Sequence, residues 1–181
     1  MGSEARRPEP RGIEAELRKH RPVRHIELPA TLDGGDVVLV RRTLLVGLSS
    51  RTNPAGVAAM ADVVRPFGYR VTPVPVHGCL HLKSACTALP DGRLLVNRQW
   101  IDADALSPFG LVPVPPDEPG AADVLSIGRH VCLPDAFPRT AELIDRLGFE
   151  VHTIDLSEFA KAEGGVTCLS LVLTHRLHPQ N

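Results

Sequence analysis

Aromatic residues are scarce in this chain of 181 residues: one Trp, one Tyr and five Phe, 4% in all. A stacking platform for single-stranded nucleic acid needs repeated rings, so that class of function is excluded. Neither sign of charge is in excess. Twenty Lys plus Arg stand against 21 Asp plus Glu, and a net charge of −1 leaves no bulk field to draw in a phosphate backbone or an anionic membrane. The locally basic start, from Arg6 to His25, is interleaved with Glu4, Glu9, Glu14, Glu16 and Glu27 and reads as a solvated face. No apolar run approaches the roughly 20 residues of a membrane span, and Met1-Gly2-Ser3-Glu4 does not open like a signal peptide. The expectation is a cytoplasmic protein with neither nucleic acid nor membrane as partner. Cysteine is sparse as well. Cys79, Cys86, Cys132 and Cys168 are too few and too far apart for a secreted disulfide framework, so at least one thiol is free for chemistry.

What is present is ordinary globular material, 43% hydrophobic and 23% charged, with enough apolar residues to bury a core. Fifteen Gly and 17 Pro promise many turns. The spacing predicts a helix over 8–20 and a strand over 23–28, then a hairpin of strands 37–40 and 43–48, a helix over 55–66 and a strand over 69–76. Prolines in that last strand place it at an edge. The same order recurs as strands 81–88 and 93–97, helix 101–106 and strand 111–114. It recurs again as strands 122–127 and 130–133, helix 140–147 and strand 150–154. Pro66-Phe67-Gly68, Pro108-Phe109-Gly110 and Leu147-Gly148-Phe149 each end a helix, at spacings of 42 and 38 residues, and Arg51-Thr52 is echoed by Arg139-Thr140. A period near 40 is the mark of an architecture built from one unit, here strand, strand, helix, strand. The chain opens on the second half of a unit (1–30), continues through units 31–78, 79–117 and 118–160, and closes on a strand over 161–175. That phase predicts one domain over 1–181 that lacks an upstream part.

The closing segment Ala162-Glu163-Gly164-Gly165-Val166-Thr167-Cys168 delivers a cysteine to the start of an expected strand, where paired glycines let the chain pass close to a neighbour. Cys168 by itself reads as a small buried hydrophobe. Its candidate partners decide. Asp33 and His81 open the first strands of their units as Cys168 opens the last, and in a ring of repeats such positions converge although they lie 48 and 87 residues apart. Nucleophile, acid/base and orienting carboxylate is the chemistry that such a trio supports. Bringing a thiol from about 8.5 to about 7 takes ~2 kcal/mol, within the reach of one nearby cation. Bland alternatives stand beside each: Asp33 and Asp36 as turn residues, His81 as a satisfied core histidine. His77, Cys79, His81 and Cys86 also suggest a metal site, the first three on one strand face, but their spacing fits no usual zinc pattern. Gly34-Gly35 is followed by no Gly-Lys-Ser/Thr and is not a phosphate loop.

With these residues in place, the chain resembles the dimethylarginine dimethylaminohydrolases of the guanidino-group-modifying (pentein) superfamily. The resemblance rests on Thr31-Leu32-Asp33-Gly34-Gly35-Asp36-Val37, Val46-Gly47-Leu48-Ser49-Ser50-Arg51-Thr52-Asn53, Leu80-His81-Leu82-Lys83-Ser84 and Gly165-Val166-Thr167-Cys168, in the family's order. It implies a five-fold pseudo-symmetric α/β propeller and the hydrolysis of N-methylated arginine to citrulline and methylamine or dimethylamine through a covalent S-alkylthiouronium. It further implies Cys168 as nucleophile, His81 as general acid/base and Asp33 as its orienting carboxylate. Arg51 and Arg6 match residues that hold the substrate's α-carboxylate, while Ala162 and Glu163 match a segment at its α-amino end. The implied partner is a small guanidino amino acid, with no metal and no cofactor, and a homo-oligomer is a further expectation. The family's first repeat and the start of its second have no counterpart in this sequence. Arginine deiminase or amidinotransferase chemistry on the same cysteine, or an inactive fragment, are the alternative expectations.

Overall fold

The structure, a computed structural model, describes residues 9–172. Arg6, and the expected closing strand from residue 173 on, lie outside the described residues. Helix α1 covers Glu9–Leu17. Three three-stranded sheets follow, each a hairpin whose second strand pairs in parallel with a third strand that returns after a helix or, in the second sheet, a 3-10 turn. The first holds β1 (Val37–Val40), β2 (Thr43–Leu48) and β3 (Arg70–Pro75), with α2 (Pro54–Val64) between β2 and β3. In the second, β4 (Cys86–Ala88), β5 (Leu94–Val96) and β6 (Leu111–Pro113) follow the short helix α3 (Leu82–Ala85). The third holds β7 (Leu125–Ile127), β8 (His130–Pro134) and β9 (Glu150–Ile154), with α4 (Pro138–Arg146) before β9 and α5 (Ser157–Ala160) after it.

Alternation along the strands turns these sheets into stacked blades. Leu94 and Val96 pack with Val38, Val40, Leu45 and Val74 of the first sheet. Leu95, on the other face of β5, packs with Val112, Val131, Leu133 and Ile144. All three residues of β5 are fully buried because blades cover both of its faces. Burial of each such side chain contributes about 1.5–3 kcal/mol. The third sheet turns Val131 and Leu133 inward, while Ile127 and Ile154 on its opposite face stay 53% and 45% exposed.

Local chemistry sets the boundaries. Asn53 caps α2, its side chain accepting from the amide of Gly56 at 2.8 Å and from that of Thr31 at 3.1 Å, and Pro54 occupies the first turn, where no amide is needed. β3 lies at the edge of its sheet, as Pro73 and Pro75 require. Buried carboxyls explain the Arg-Thr echo. The Thr52 hydroxyl donates to Asp36 at 2.7 Å, and the Thr140 hydroxyl donates to Glu118 at 2.6 Å.

Four expectations are corrected. Residues 23–28 form no strand, because no described segment offers them a hydrogen-bonding partner. The strand expected from His81 begins only at Cys86, since residues 82–85 close into α3. The helix expected over 101–106 is a 3-10 turn at Ala103–Leu106, capped by Asp102, while Ile101 bridges to Val76. Residues 166–169 form a turn rather than the start of a strand. Leu95→Ala is expected to lower the unfolding free energy by about 2–5 kcal/mol, while Leu39→Ala at the surface changes it by less than about 0.5 kcal/mol; urea denaturation of both variants checks the stacking.

Candidate active site

The region around His81 is built on Asp36. This side chain is fully buried at the end of the 3-10 turn Gly34–Asp36. Its Oδ2 accepts from the Ser49 hydroxyl at 2.6 Å and the Thr52 hydroxyl at 2.7 Å, and its Oδ1 accepts from the Leu82 amide at 3.0 Å. Each donor continues to a candidate functional residue. Thr52 Oγ1 accepts from the Asp33 amide at 3.0 Å, Ser49 Oγ accepts from the Arg51 amide at 3.0 Å, and Leu82 follows His81 directly. One buried carboxyl thus ties together the loops carrying Asp33, Arg51 and His81. The expectation that Asp36 is a simple turn residue misses this role. The echo of Arg51-Thr52 in Arg139-Thr140 was the signal that a threonine–carboxyl contact is built into the repeat.

Asp33 and His81 meet. Asp33 caps the 3-10 turn, its Oδ1 accepting from the Gly35 amide at 3.1 Å, and its Oδ2 lies 3.4 Å from His81 Nε2. That contact is long for a good hydrogen bond, and Nε2 is buried without a better partner. The imidazole lies flat over Gly35, where a Cβ would stand 2.6 Å from its Cγ, so only glycine admits the ring. Contact with His81 holds the Asp33 carboxyl well below the usual range; the Gly35 amide and the charges of His81 and Arg51 act in the same direction, against the opposing effect of burial. Among the described residues the Arg51 side chain forms no ion pair and is available to an anion.

The cysteine segment arrives from the third blade. Thr167 lies against the Asp123 carboxyl, which burial pushes up, and Lys83 adds a positive charge nearby. Lys83 Nζ also donates to the Gly34 carbonyl at 3.0 Å, which links this corner to the Asp33 turn. Gly165 is needed for close approach: a Cβ there would stand 1.8 Å from Asp123 Oδ2. The left-handed residue of the turn is Glu163, with φ of 58°. Ala162 and Glu163 are both exposed. Cys168 is exposed and free, and no hydrogen bond joins it to His81. The structure therefore pairs Asp33 with His81 and brings the residue before Cys168 to Asp123. Asp123 has no function in the sequence reading; it lies just before β7, the first strand of the third repeat.

The other thiols are poor nucleophiles. Burial pushes Cys86 up to about 12, Cys79 up to about 11, and Cys132 above its ordinary value. Cys79 Sγ donates to the His81 carbonyl at 3.1 Å, and Cys86 packs in the core. Residues 77–81 run through bends rather than along one strand face, so His77, Cys79, His81 and Cys86 do not converge as metal ligands. Among the described residues, the buried side-chain polar atoms without a partner are His81 Nε2, Asp123 Oδ1 and Thr167 Oγ1. His81 belongs to the pair with Asp33, and the other two to the contact between Asp123 and Thr167. Unpaired buried polar groups are costly in a packed interior and are what a polar ligand satisfies.

No protein-family model matches the chain. An N(G),N(G)-dimethylarginine dimethylaminohydrolase of Streptomyces coelicolor is 46% identical over 173 residues, 95% of this chain and 66% of that one. The protein of the same name from Pseudomonas aeruginosa is 34% identical over 172 residues, 94% of this chain and 68% of that one. The chain belongs to the dimethylarginine dimethylaminohydrolase family. A solved structure of the dimethylarginine dimethylaminohydrolase from Pseudomonas aeruginosa, a cysteine-to-serine variant complexed with citrulline, matches with a TM-score of 0.85 at 32% identity, covering 92% of this chain and 66% of that one. The α/β pentein fold that the resemblance implied is the fold found. This dimethylarginine dimethylaminohydrolase family member spans about two thirds of the length of those relatives.

Two outcomes follow from the geometry. Asp36→Ala leaves the Leu82 amide and two hydroxyls unpaired and is expected to cost about 3–5 kcal/mol of stability in urea unfolding; a loss under about 1 kcal/mol would show that the three loops do not depend on it. A carboxyl depressed on folding adds stability that is complete above its unfolded value of about 3.9 and is lost as pH falls through it towards the folded one. Asp33→Asn is therefore expected to flatten the decline in stability below about pH 4, measured by urea unfolding across the acid range.

Proposed function

We propose that this chain hydrolyses N-methylated arginine, asymmetric dimethylarginine or monomethylarginine, to citrulline and dimethylamine or methylamine. The observation that carries the reading is the Asp33–His81 pair, linked through Lys83 to the corner where Asp123 meets Thr167, one residue from the exposed thiol of Cys168. Family membership supplies the substrate class: the relatives at 46% and 34% identity carry this activity in their names, and the Pseudomonas structure holds citrulline.

In the proposed reaction the guanidinium enters beside two carboxyl groups, Asp33 and Asp123. Its charge favours the thiolate of Cys168. The sulfur attacks the guanidino carbon and the bond to the methylated nitrogen breaks, with His81 as imidazolium delivering the proton to the departing amine. An S-alkylthiouronium joins substrate to enzyme. Neutral His81 then takes a proton from water, the hydroxide adds to the same carbon, and the carbon–sulfur bond breaks to return the thiolate and release citrulline. Asp33 orients the imidazole and stabilises its charged form, and no step calls on a metal or organic cofactor. Arg51 binds the α-carboxylate, where its planar fork suits two oxygens, and Arg6 is assigned the same task. Ala162 and Glu163 border the α-amino end.

The same reading places the protein in the cytoplasm, where four free thiols stay reduced. Among the described residues, no helix is long and apolar enough to cross a membrane. Exposed Ile127 and Ile154 on one sheet face suit a homo-oligomer.

Citrulline release from asymmetric dimethylarginine and from arginine, assayed in parallel, tests the proposal. Release from dimethylarginine is expected, falling at least about 10³-fold in Cys168→Ser. Arg51→Ala is expected to raise KM about 10–100-fold with a smaller change in kcat. Turnover unchanged in Cys168→Ser, or arginine consumed in preference, would overturn it.

A further inference from the structure

The outward face of the third sheet carries a second cluster of chemical side chains, remote from Cys168. β8 and β9 run parallel, with His130 opposite Glu150 and Cys132 opposite His152. The two-residue period of a strand places His130, Glu150 and His152 on the face opposite buried Val131 and Leu133. All three are exposed. His130 Nδ1 lies 2.9 Å from Glu150 Oε2 and 3.0 Å from His152 Nε2, and the three atoms all fall within 4.8 Å of one another.

Hydrogen bonding alone serves this convergence poorly. His130 Nδ1 has either one proton or one lone pair, yet it faces two other groups at bonding distance. If it carries the proton, Glu150 and His152 compete for it. If His152 donates instead, the Glu150 oxygen faces a lone pair. A cation among the three atoms would be met by a lone pair from each. Ligands about 2.0–2.1 Å from a tetrahedral ion stand roughly 3.3 Å apart, near the 2.9 and 3.0 Å found around His130 Nδ1, with Glu150 and His152 within 4.8 Å of each other. The Arg129 guanidinium, with Nε 3.0 Å from Glu150 Oε1, holds the carboxylate's other oxygen and leaves Oε2 turned towards the imidazoles.

We propose that His130, Glu150 and His152 form a surface site for a divalent transition metal ion, zinc by donor set, with the fourth position open to water. Two imidazole nitrogens and one carboxylate oxygen form a borderline set that favours zinc over magnesium or calcium. The site lies at the hairpin end of its sheet, where β7 ends and β8 begins, whereas Asp123 precedes the start of antiparallel β7 at the other end. A bound ion there takes no part in the reaction on Cys168. It clamps edge strand β9 to β8, joining two segments that lie 20 residues apart in the chain.

Calorimetric titration of chelator-treated full chain with Zn²⁺ tests the assignment, with His152→Ala, Glu150→Gln and Cys168→Ser in parallel and circular dichroism as the check on folding. The expected result is one saturable site whose affinity falls about tenfold or more in His152→Ala and Glu150→Gln and is unchanged in Cys168→Ser. Zn²⁺ should also raise the melting temperature of the unaltered protein and leave that of His152→Ala where it was. Equal titrations of the unaltered protein and His152→Ala, loss of the site in Cys168→Ser instead, or no saturable binding would each overturn the proposal.

Discussion

The loops that hold the candidate catalytic residues depend on a buried carboxyl that accepts three hydrogen bonds. Asp36 sits inside, where an unpaired carboxylate would be prohibitively costly, so the donors of Ser49, Thr52 and Leu82 must come to it. Bringing them in fixes three segments that the chain keeps far apart: the turn after Leu32, the loop between β2 and α2, and the entry to α3. Asp33, Arg51 and His81 each sit one bond or one residue beyond a donor to Asp36. The functional geometry is therefore a by-product of satisfying one interior carboxyl group. The third blade repeats the device with Glu118, which accepts from the Thr140 hydroxyl and from the amides of Arg139 and Thr140 at the start of α4.

Around that hub, two missing Cβ atoms control how closely the parts approach. Gly35 lets the His81 ring rest on the backbone beside Asp33, and Gly165 lets the cysteine segment reach Asp123. The glycine pair before Cys168 was expected to let the chain pass close to a ligand; the close neighbour found is Asp123. Stacked blades supply the rigidity behind these contacts, since β5, central in the middle sheet, is packed on both faces. The outer face of the third sheet is different. There the period of the strands turns two histidines, a glutamate and two isoleucines to solvent, and polar chemistry accumulates that has no place in the catalytic corner.

Much of this was legible in the letters because the chain repeats. Recurring Pro-Phe-Gly punctuation, the Arg-Thr echo and alternating apolar strands predict three strand-strand-helix-strand units, and three sheets of that order are present, the second with a 3-10 turn in place of the helix. The edge position of β3 follows from its prolines, since a residue without an amide cannot serve the middle of a sheet. The segments that failed as strands share one cause. Residues 23–28 and 166–169 have the composition of strands, but a strand is defined by its neighbour, and no described segment pairs with either. The opening of α3 was misread for the complementary reason: the Leu82 amide is taken by Asp36, 46 residues away in sequence.

By itself the sequence determined the repeat, the residue types able to carry nucleophilic chemistry, and the family to which four motifs in order point. These are local properties, written in spacing and side-chain identity. Only the tertiary structure decided which of those residues meet. Asp33 reaches His81 because blades converge at their opening strands, Asp123 faces Thr167 because the chain returns past the third blade, and His130 faces Glu150 and His152 because parallel register puts them side by side. Burial likewise separated the thiols, raising Cys79, Cys86 and Cys132 while Cys168 stayed at the surface. Such distinctions depend on distance and solvent access, and a linear sequence contains neither until it folds.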